Sequence, residues 1–206
     1  MHFSVPKFTL VIIAMFLFLG VSGCATMDRR VDILYQPVAN VKGGSGDLYV
    51  VRAKQAVAGS AADVQWVLGG VTDSDGEKLG NIVTDMAPEA LVFDALTREL
   101  TAAGFNVIAV DAMPLAVKKG LQLTGATIKL DDTHSLIKDE VHCAMKMSVQ
   151  VWQEGKAVTA QEYQTPYADT AVRDRDTFLT TSLQKSLQLL MSQSTPDIFR
   201  TIERPR

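Results

Sequence analysis

The amino-acid sequence predicts an α+β domain, with a mixed, mainly antiparallel sheet and helices packed on one face. Three observations carry this. Val141, Cys143, Met145, Met147, Val149 and Val151 alternate with His142, Ala144, Lys146, Ser148 and Gln150, the period of a half-buried strand. Leu179, Leu183, Leu187 and Leu190 recur at helical spacing near the C-terminus. Asp85 to Ala103 reads as a helix with start and stop signals at its two ends. Strand-like stretches follow one another closely from Leu121 onward, so their pairing is expected to be antiparallel and covered by the helices.

The N-terminus is built differently from the rest. Lys7 gives a positive start, Phe8 to Leu19 is a nearly unbroken apolar run, and Gly20, Ser22 and Gly23 are small. A membrane-crossing helix needs about 20 apolar residues, and this run is shorter, which suits the apolar region of a secretory signal. Val21-Ser22-Gly23-Cys24 resembles the bacterial lipobox. That resemblance implies cleavage between Gly23 and Cys24, a diacylglyceryl thioether on Cys24, and acylation of its freed amine. An ordinary secretory signal is the competing reading; hydrophobic length, small flanks and cysteine position together favour the lipoprotein type. Similarity to Gram-negative lipoproteins further implies the periplasmic face of the outer membrane, because Ala25, rather than an aspartate, follows the cysteine. Residues 1–23 are thus read as a signal peptide, 24–45 as a lipidated N-terminus and tether, and 46–206 as a single globular periplasmic domain.

Along the tether, Ala25 to Arg30 is polar, Val31 to Tyr35 is briefly apolar, and Val38 to Gly46 is a glycine-rich loop. So short a connection is expected to hold the domain close to the membrane. The first strand is expected over Asp47 to Ala53. Ala58 to Ala62 reads as loop, and Val64 to Val71 as the next strand. Asp73-Ser74-Asp75-Gly76 then turns the chain into Gly80 to Thr84. Asp73 and Asp75 mimic the opening of a calcium loop, but Lys78 stands where glycine is needed and Thr84 where a bidentate glutamate is needed, so a plain turn is expected.

In the first helix Asp85 is the expected cap, Pro88 and Glu89 occupy the first turn, and Val92, Leu96, Leu100 and Ala103 form the apolar stripe. Asp94, Arg98 and Glu99 are expected in water, and Gly104 ends the helix. Phe105 to Val110 is a strand, and Asp111 to Lys119 a short helix carrying Pro114. The apolar phase switches from odd to even positions at Thr124-Gly125, which predicts a β-bulge there. A turn at Gln153 to Lys156 returns Val158 to Thr165 beside the alternating strand. Asp174 or Asp176 caps the Leu179 helix, and Thr195-Pro196-Asp197 starts a separate last helix bearing Ile198, Phe199 and Ile202.

The segments Val64 to Val71, Asp75-Gly76, Ile82 to Thr84, Ala95-Leu96, Glu99-Leu100 and Ala103 to Val107, followed by an alternating strand and a C-terminal helix, resemble the YajG-like bacterial lipoproteins. The resemblance covers most of the chain after the signal. It implies a lipid-anchored periplasmic α/β domain and transfers no catalytic residue.

The chemistry-bearing residues are few. With 20 basic and 23 acidic residues, net charge −3 and no basic stripe, nucleic acid is not an expected partner. Of two cysteines, Cys24 is assigned to lipid, leaving Cys143 on the apolar face of its strand as a buried thiol. His142 is its neighbour in the strand and so points the other way. Asp131, Asp132 and His134 lie in a polar run expected to be a solvated loop; enzyme chemistry there would need them to converge with another carboxylate. No phosphate loop, dinucleotide fingerprint, zinc motif or nucleophile elbow is present. The expectation is therefore no catalytic residue, no metal and no cofactor. The membrane is the partner through the lipid on Cys24, and the domain is a non-enzymatic module for an envelope protein or cell-wall partner. The other function class kept is an accessory factor holding a lipid or cell-wall glycan in a cavity.

Overall fold

The computed structural model describes residues 28–38, 41–51, 65–172 and 175–204. Its elements are β1 (Arg29–Arg30), β2 (Asp47–Val51), β3 (Trp66–Asp73), β4 (Lys78–Thr84), α1 (Pro88–Ala102), β5 (Asn106–Val110), β6 (Lys119–His134), β7 (Asp139–Gln153), β8 (Lys156–Ala171) and α2 (Arg175–Glu203). The fold is α+β, a curled mixed sheet of eight strands with two helices.

Strand β6 organises the sheet. One of its edges pairs antiparallel with β7 from Lys119–Gln153 to His134–Asp139. Its other edge is shared: Gly120–Gln122 pair parallel with Tyr49–Val51, and Asp132–His134 pair parallel with Val71–Asp73. At about 3.3 Å per residue, its 16 residues are long enough to take a different neighbour at each end. Strand β5 extends the β2 wing, and β4 followed by β1 extends the β3 wing. The ladder of β7 with β8 is also antiparallel, so the long pairings are antiparallel and the short ones mostly parallel.

The alternating strand behaves as its pattern requires. Val141, Cys143, Met145, Met147, Val149 and Val151 are buried against α2, whose Leu183, Leu187, Leu190 and Met191 are buried in the same cluster. The bulge falls between Leu123 and Gly125 in the β6–β7 register, so both phases of β6 face the core. Glu154 and Gly155 form the two-residue turn to β8 with positive φ at both positions, the geometry that matches strand twist. At the end of α1, Phe105 N donates to Leu100 O and Gly104 N to Thr101 O, with Gly104 left-handed, which is the Schellman arrangement.

Several expectations are corrected. Residues 111–118 are not helical. Their carbonyls are used elsewhere, with Glu154 N donating to Lys118 O and Gly155 N to Val117 O, so the segment buttresses the β7–β8 turn. The C-terminus is one helix, not two. Leu190, Met191, Ile198 and Ile202 form one buried face across Pro196, and that burial outweighs the cost of an internal proline, about 3 kcal/mol. Helix α1 starts at Pro88 with Ala87 at the cap and no side-chain cap; Asp85 pairs with Arg30 instead. Strand β8 runs on to Ala171, following β7 to its end. Asp131 to His134 belong to β6, not to a loop.

Residues 28–38, expected within the tether, are woven into the fold. Arg29 and Arg30 pair with Ile82 and Val83, and Val31 and Tyr35 are buried in the core. The expected signal, Gly23, Cys24, Ala25 to Met27, Arg52-Ala53, Ala58 to Ala62, Val64 and Asp174 lie outside the described residues.

The close approach of β3 to β6 depends on Gly69. A Cβ there would stand 1.9 Å from Leu130 O, whereas one at Gly125 would meet nothing within 4 Å. Gly69→Ala is expected to lower unfolding stability by about 1–3 kcal/mol through forced backbone displacement, and Gly125→Ala to change it by no more than about 0.5 kcal/mol. Urea unfolding followed by circular dichroism measures both.

Candidate functional site

Three buried carboxylates, Glu99, Asp132 and Asp139, are the strongest concentration of unusual chemistry among the described residues. A buried carboxylate is costly unless hydrogen-bonded or paired, so the partners decide what each does. Glu99, on α1, accepts from Tyr35 Oη at 2.5 Å and from Val38 N at 2.7 Å. Burial first, then the bond to Glu99 and its charge, push the Tyr35 phenol well above its ordinary range, so it stays a donor. Asp132 lies 3.2 Å from Arg29 Nη1. Asp139 lies 2.6 Å from His134 Nδ1, across the last register pair of β6 and β7. Each carboxylate therefore fastens one piece of chain to another; Asp132, His134 and Asp139 share one face of the β6–β7 hairpin, while Glu99 stands on α1.

Of the residues singled out in the sequence, Asp132 and His134 lie on that shared face with the further carboxylate Asp139, and Asp131 and His142 lie on the opposite one. Asp131 pairs with exposed Lys129 at 2.8 Å, on the face opposite Asp132. His142 is exposed and Cys143 buried, on opposite faces of β7. Asp73 Oδ1 accepts from Asp75 N at 2.9 Å and Glu77 N at 2.8 Å, so that carboxylate holds the turn together. No group of three or more metal-ligating side chains occurs among the described residues. Burial pushes the Cys143 thiol up to about 11.

A cleft of about 610 Å³ with both apolar and polar lining lies at the end of β2. Val51, Met113, Leu123 and Trp152 line it, with Glu89 and Asp111 among its polar groups. It lies where β6 passes from one parallel neighbour to the other, and among the described residues the edge around Leu123 to Gly125 has no strand partner on that side. Gly120 lets Met113 lie against the sheet, since a Cβ there would stand 2.6 Å from its sulfur. Trp152 Nε1 is buried without a hydrogen-bond partner among the described residues.

Glu99 and Asp139 were both expected elsewhere or passed over, though each had a signal. Glu99 follows Leu96 by three positions, inside the apolar stripe of α1, and Asp139 shares the odd phase of Val141 and Cys143. The cleft had no local signal, because it is made by five separate segments.

No family model matches the chain, and no curated protein does. Among solved structures it is similar to a minor lipoprotein from Acinetobacter baumannii, at 12% identity over 75% of this chain and 91% of that one, with a TM-score of 0.42. It is similar to a Xanthomonas campestris protein at 8% identity over 82% of this chain and 92% of that one, TM-score 0.44. A third similarity is to the rare lipoprotein B from Shewanella oneidensis, 19% identical over 65% of this chain and 91% of that one, TM-score 0.29. Values this low assign no function.

Tyr35→Phe is expected to cost about 1.5–3 kcal/mol, the range for a hydrogen bond to a charged group, and to speed tryptic cleavage at Arg29 and Arg30. Mass spectrometry of the digest checks the second effect. The thiol supplies a pH test. Its folded value is raised from 9.0 to about 11, so its contribution is fully present below about pH 9 and is lost as pH rises through about 11. Unfolding measured from pH 8 to 11 should show that loss, and Cys143→Ala should flatten it.

Proposed function

We propose that the chain is a lipid-anchored lipoprotein of the Gram-negative envelope, held through Cys24 on the periplasmic face of the outer membrane, and that its domain is a non-enzymatic binding or interaction module. One observation carries the reading: a positive start, a short apolar run and Val21-Ser22-Gly23-Cys24 occur in that order. Two or more acyl chains on one cysteine give stable attachment, each buried methylene contributing about 0.8 kcal/mol. No helix among the described residues is long and apolar enough to cross a membrane.

The placement of the charged groups supports a binding role. The pairs Glu99–Tyr35, Asp132–Arg29 and His134–Asp139 hold the fold, and the buried thiol is kept protonated. A second reading, a lipid or cell-wall glycan held in a cavity, is favoured by the cleft at Met113 and Trp152, whose apolar lining with a few polar groups suits an amphipathic ligand.

Cells fed radiolabelled fatty acid and then fractionated test the anchor. Wild type should carry label and sediment with outer membrane, and Cys24→Ala should carry none and appear in the periplasm; unlabelled, soluble wild type would sink the reading. Crosslinking in intact cells, followed by capture, should return an envelope partner. For the cavity reading, Trp66→Phe leaves Trp152 as the indole, whose emission should shift on addition of a fatty acid or a muropeptide.

A further inference from the structure

The end of the sheet where β6 turns into β7 carries an unusual tip. Ser135 N donates to Lys138 O at 3.0 Å and Lys138 N to Ser135 Oγ at 3.0 Å, which closes a tight four-residue turn. The two residues between them are large and apolar, and both stand in solvent: Leu136 is 101% exposed and Ile137 77%. Val172, just beyond the residue that pairs with Asp139, is 65% exposed at the same end. Turn tips normally take glycine, asparagine, aspartate or serine for backbone reasons. A lone exposed leucine is ordinary, whereas adjacent leucine and isoleucine at a closed tip beside an exposed valine form a local apolar point.

The chain's entry into the fold places that point relative to Cys24. Strand β1 runs parallel to β4, so the chain enters from the Lys78 end, and Asp28 continues the line by accepting from Asn81 N and Nδ2, both at 2.9 Å. Asn81 is opposite Gly70, one residue before the Val71–Asp132 pair, so Asp28 is level with Asp131. From Asp131 to Leu136 is about 17 Å along the strand. Cys24 lies four residues before Asp28, a reach of at most about 14 Å. The Arg29–Asp132 pair fixes the entry point at this end of the sheet.

We infer that the Leu136–Ile137 tip is a second membrane contact, seated in the lipid interface beside the acyl chains of Cys24. This rests on the lipid anchor proposed above. The anchor cannot place its lipid in a bilayer without bringing this end of the sheet to the surface, and the tip is the apolar group there. Asp73, Asp75, Glu77 and Glu140 stand at the same end with Lys78 and Lys138, so charge gives no net pull toward anionic lipid. The contact is apolar and does not depend on electrostatic attraction. It also sets a direction, with the β7–β8 turn pointing away from the membrane.

Leu115 supplies an internal control. It is 98% exposed, but its carbonyl lies against Gly155 at the opposite end of the hairpin. The test uses full-length, processed protein in phosphatidylethanolamine vesicles, with an environment-sensitive fluorophore on Ile137→Cys or Leu115→Cys. Cys24 is acylated and Cys143 buried, so the introduced thiol takes the dye. The probe at 137 should emit to the blue, be quenched by brominated lipid and resist iodide, and keep that emission at high salt, while the probe at 115 should behave as in water. Water-like emission at 137 in protein that floats with the vesicles would overturn the tip and leave the anchor standing. Protein that does not float would overturn the anchor, and the tip with it.

Discussion

The structure depends on one strand being hydrogen-bonded along both edges by three different neighbours. Strand β6 commits its whole length to β7, then divides its other edge between β2 and β3. Unpaired backbone groups are costly when buried, so a long central strand must find partners or be left open to water along part of its edge. Among the described residues the two ends take parallel neighbours and the middle has none, and the cleft lies beside it at the Gly125 bulge. Gly69, whose missing side chain lets β3 come against Leu130, belongs to the same constraint.

The buried carboxylates serve that arrangement. Breaking a buried pair by removing one partner costs about 3–5 kcal/mol, more than a typical surface pair contributes. Such bonds are worth placing where separate chain segments must stay together. Glu99 fastens residues 35–38 to α1, Asp132 meets β1 through Arg29, and Asp139 meets His134 where the hairpin ends. Two of the three hold the N-terminal segment. The electrostatics of the interior thus act chiefly on the part of the chain that would transmit any pull from a lipid anchor.

Much of this was legible from residue order, and the failures have physical reasons. The period-two run at Val141 to Val151, the Gly125 phase switch and the Gly104 stop were readable because strand pleat, bulge and left-handed cap each impose a local requirement. Pro196 misled because local propensity opposes it, while the continuous face of Leu190, Met191, Ile198 and Ile202 is a tertiary gain. The 111–118 segment misled for the converse reason: its carbonyls are claimed by a turn nearly forty residues later. Tyr35 and Val31 looked like tether because a five-residue apolar stretch has too little length to declare a core contact. The cleft could not be read at all, since Val51, Glu89, Met113, Leu123 and Trp152 meet only through topology.

The position of the cleft bears on which function suits it. Leu123 is eleven residues along β6 from His134, so the cleft stands about 35 Å from the hairpin end, measured along the strand. If the hairpin end faces lipid, the cleft opens well above the headgroups. A molecule taken directly from the bilayer would have to leave it entirely to reach Met113 and Trp152. A ligand or protein segment that approaches from the periplasm meets that site first. On the proposed anchoring, this geometry suits a domain that holds its lipid end still and offers its far end to partners, which weights the interaction module over one that extracts membrane lipid.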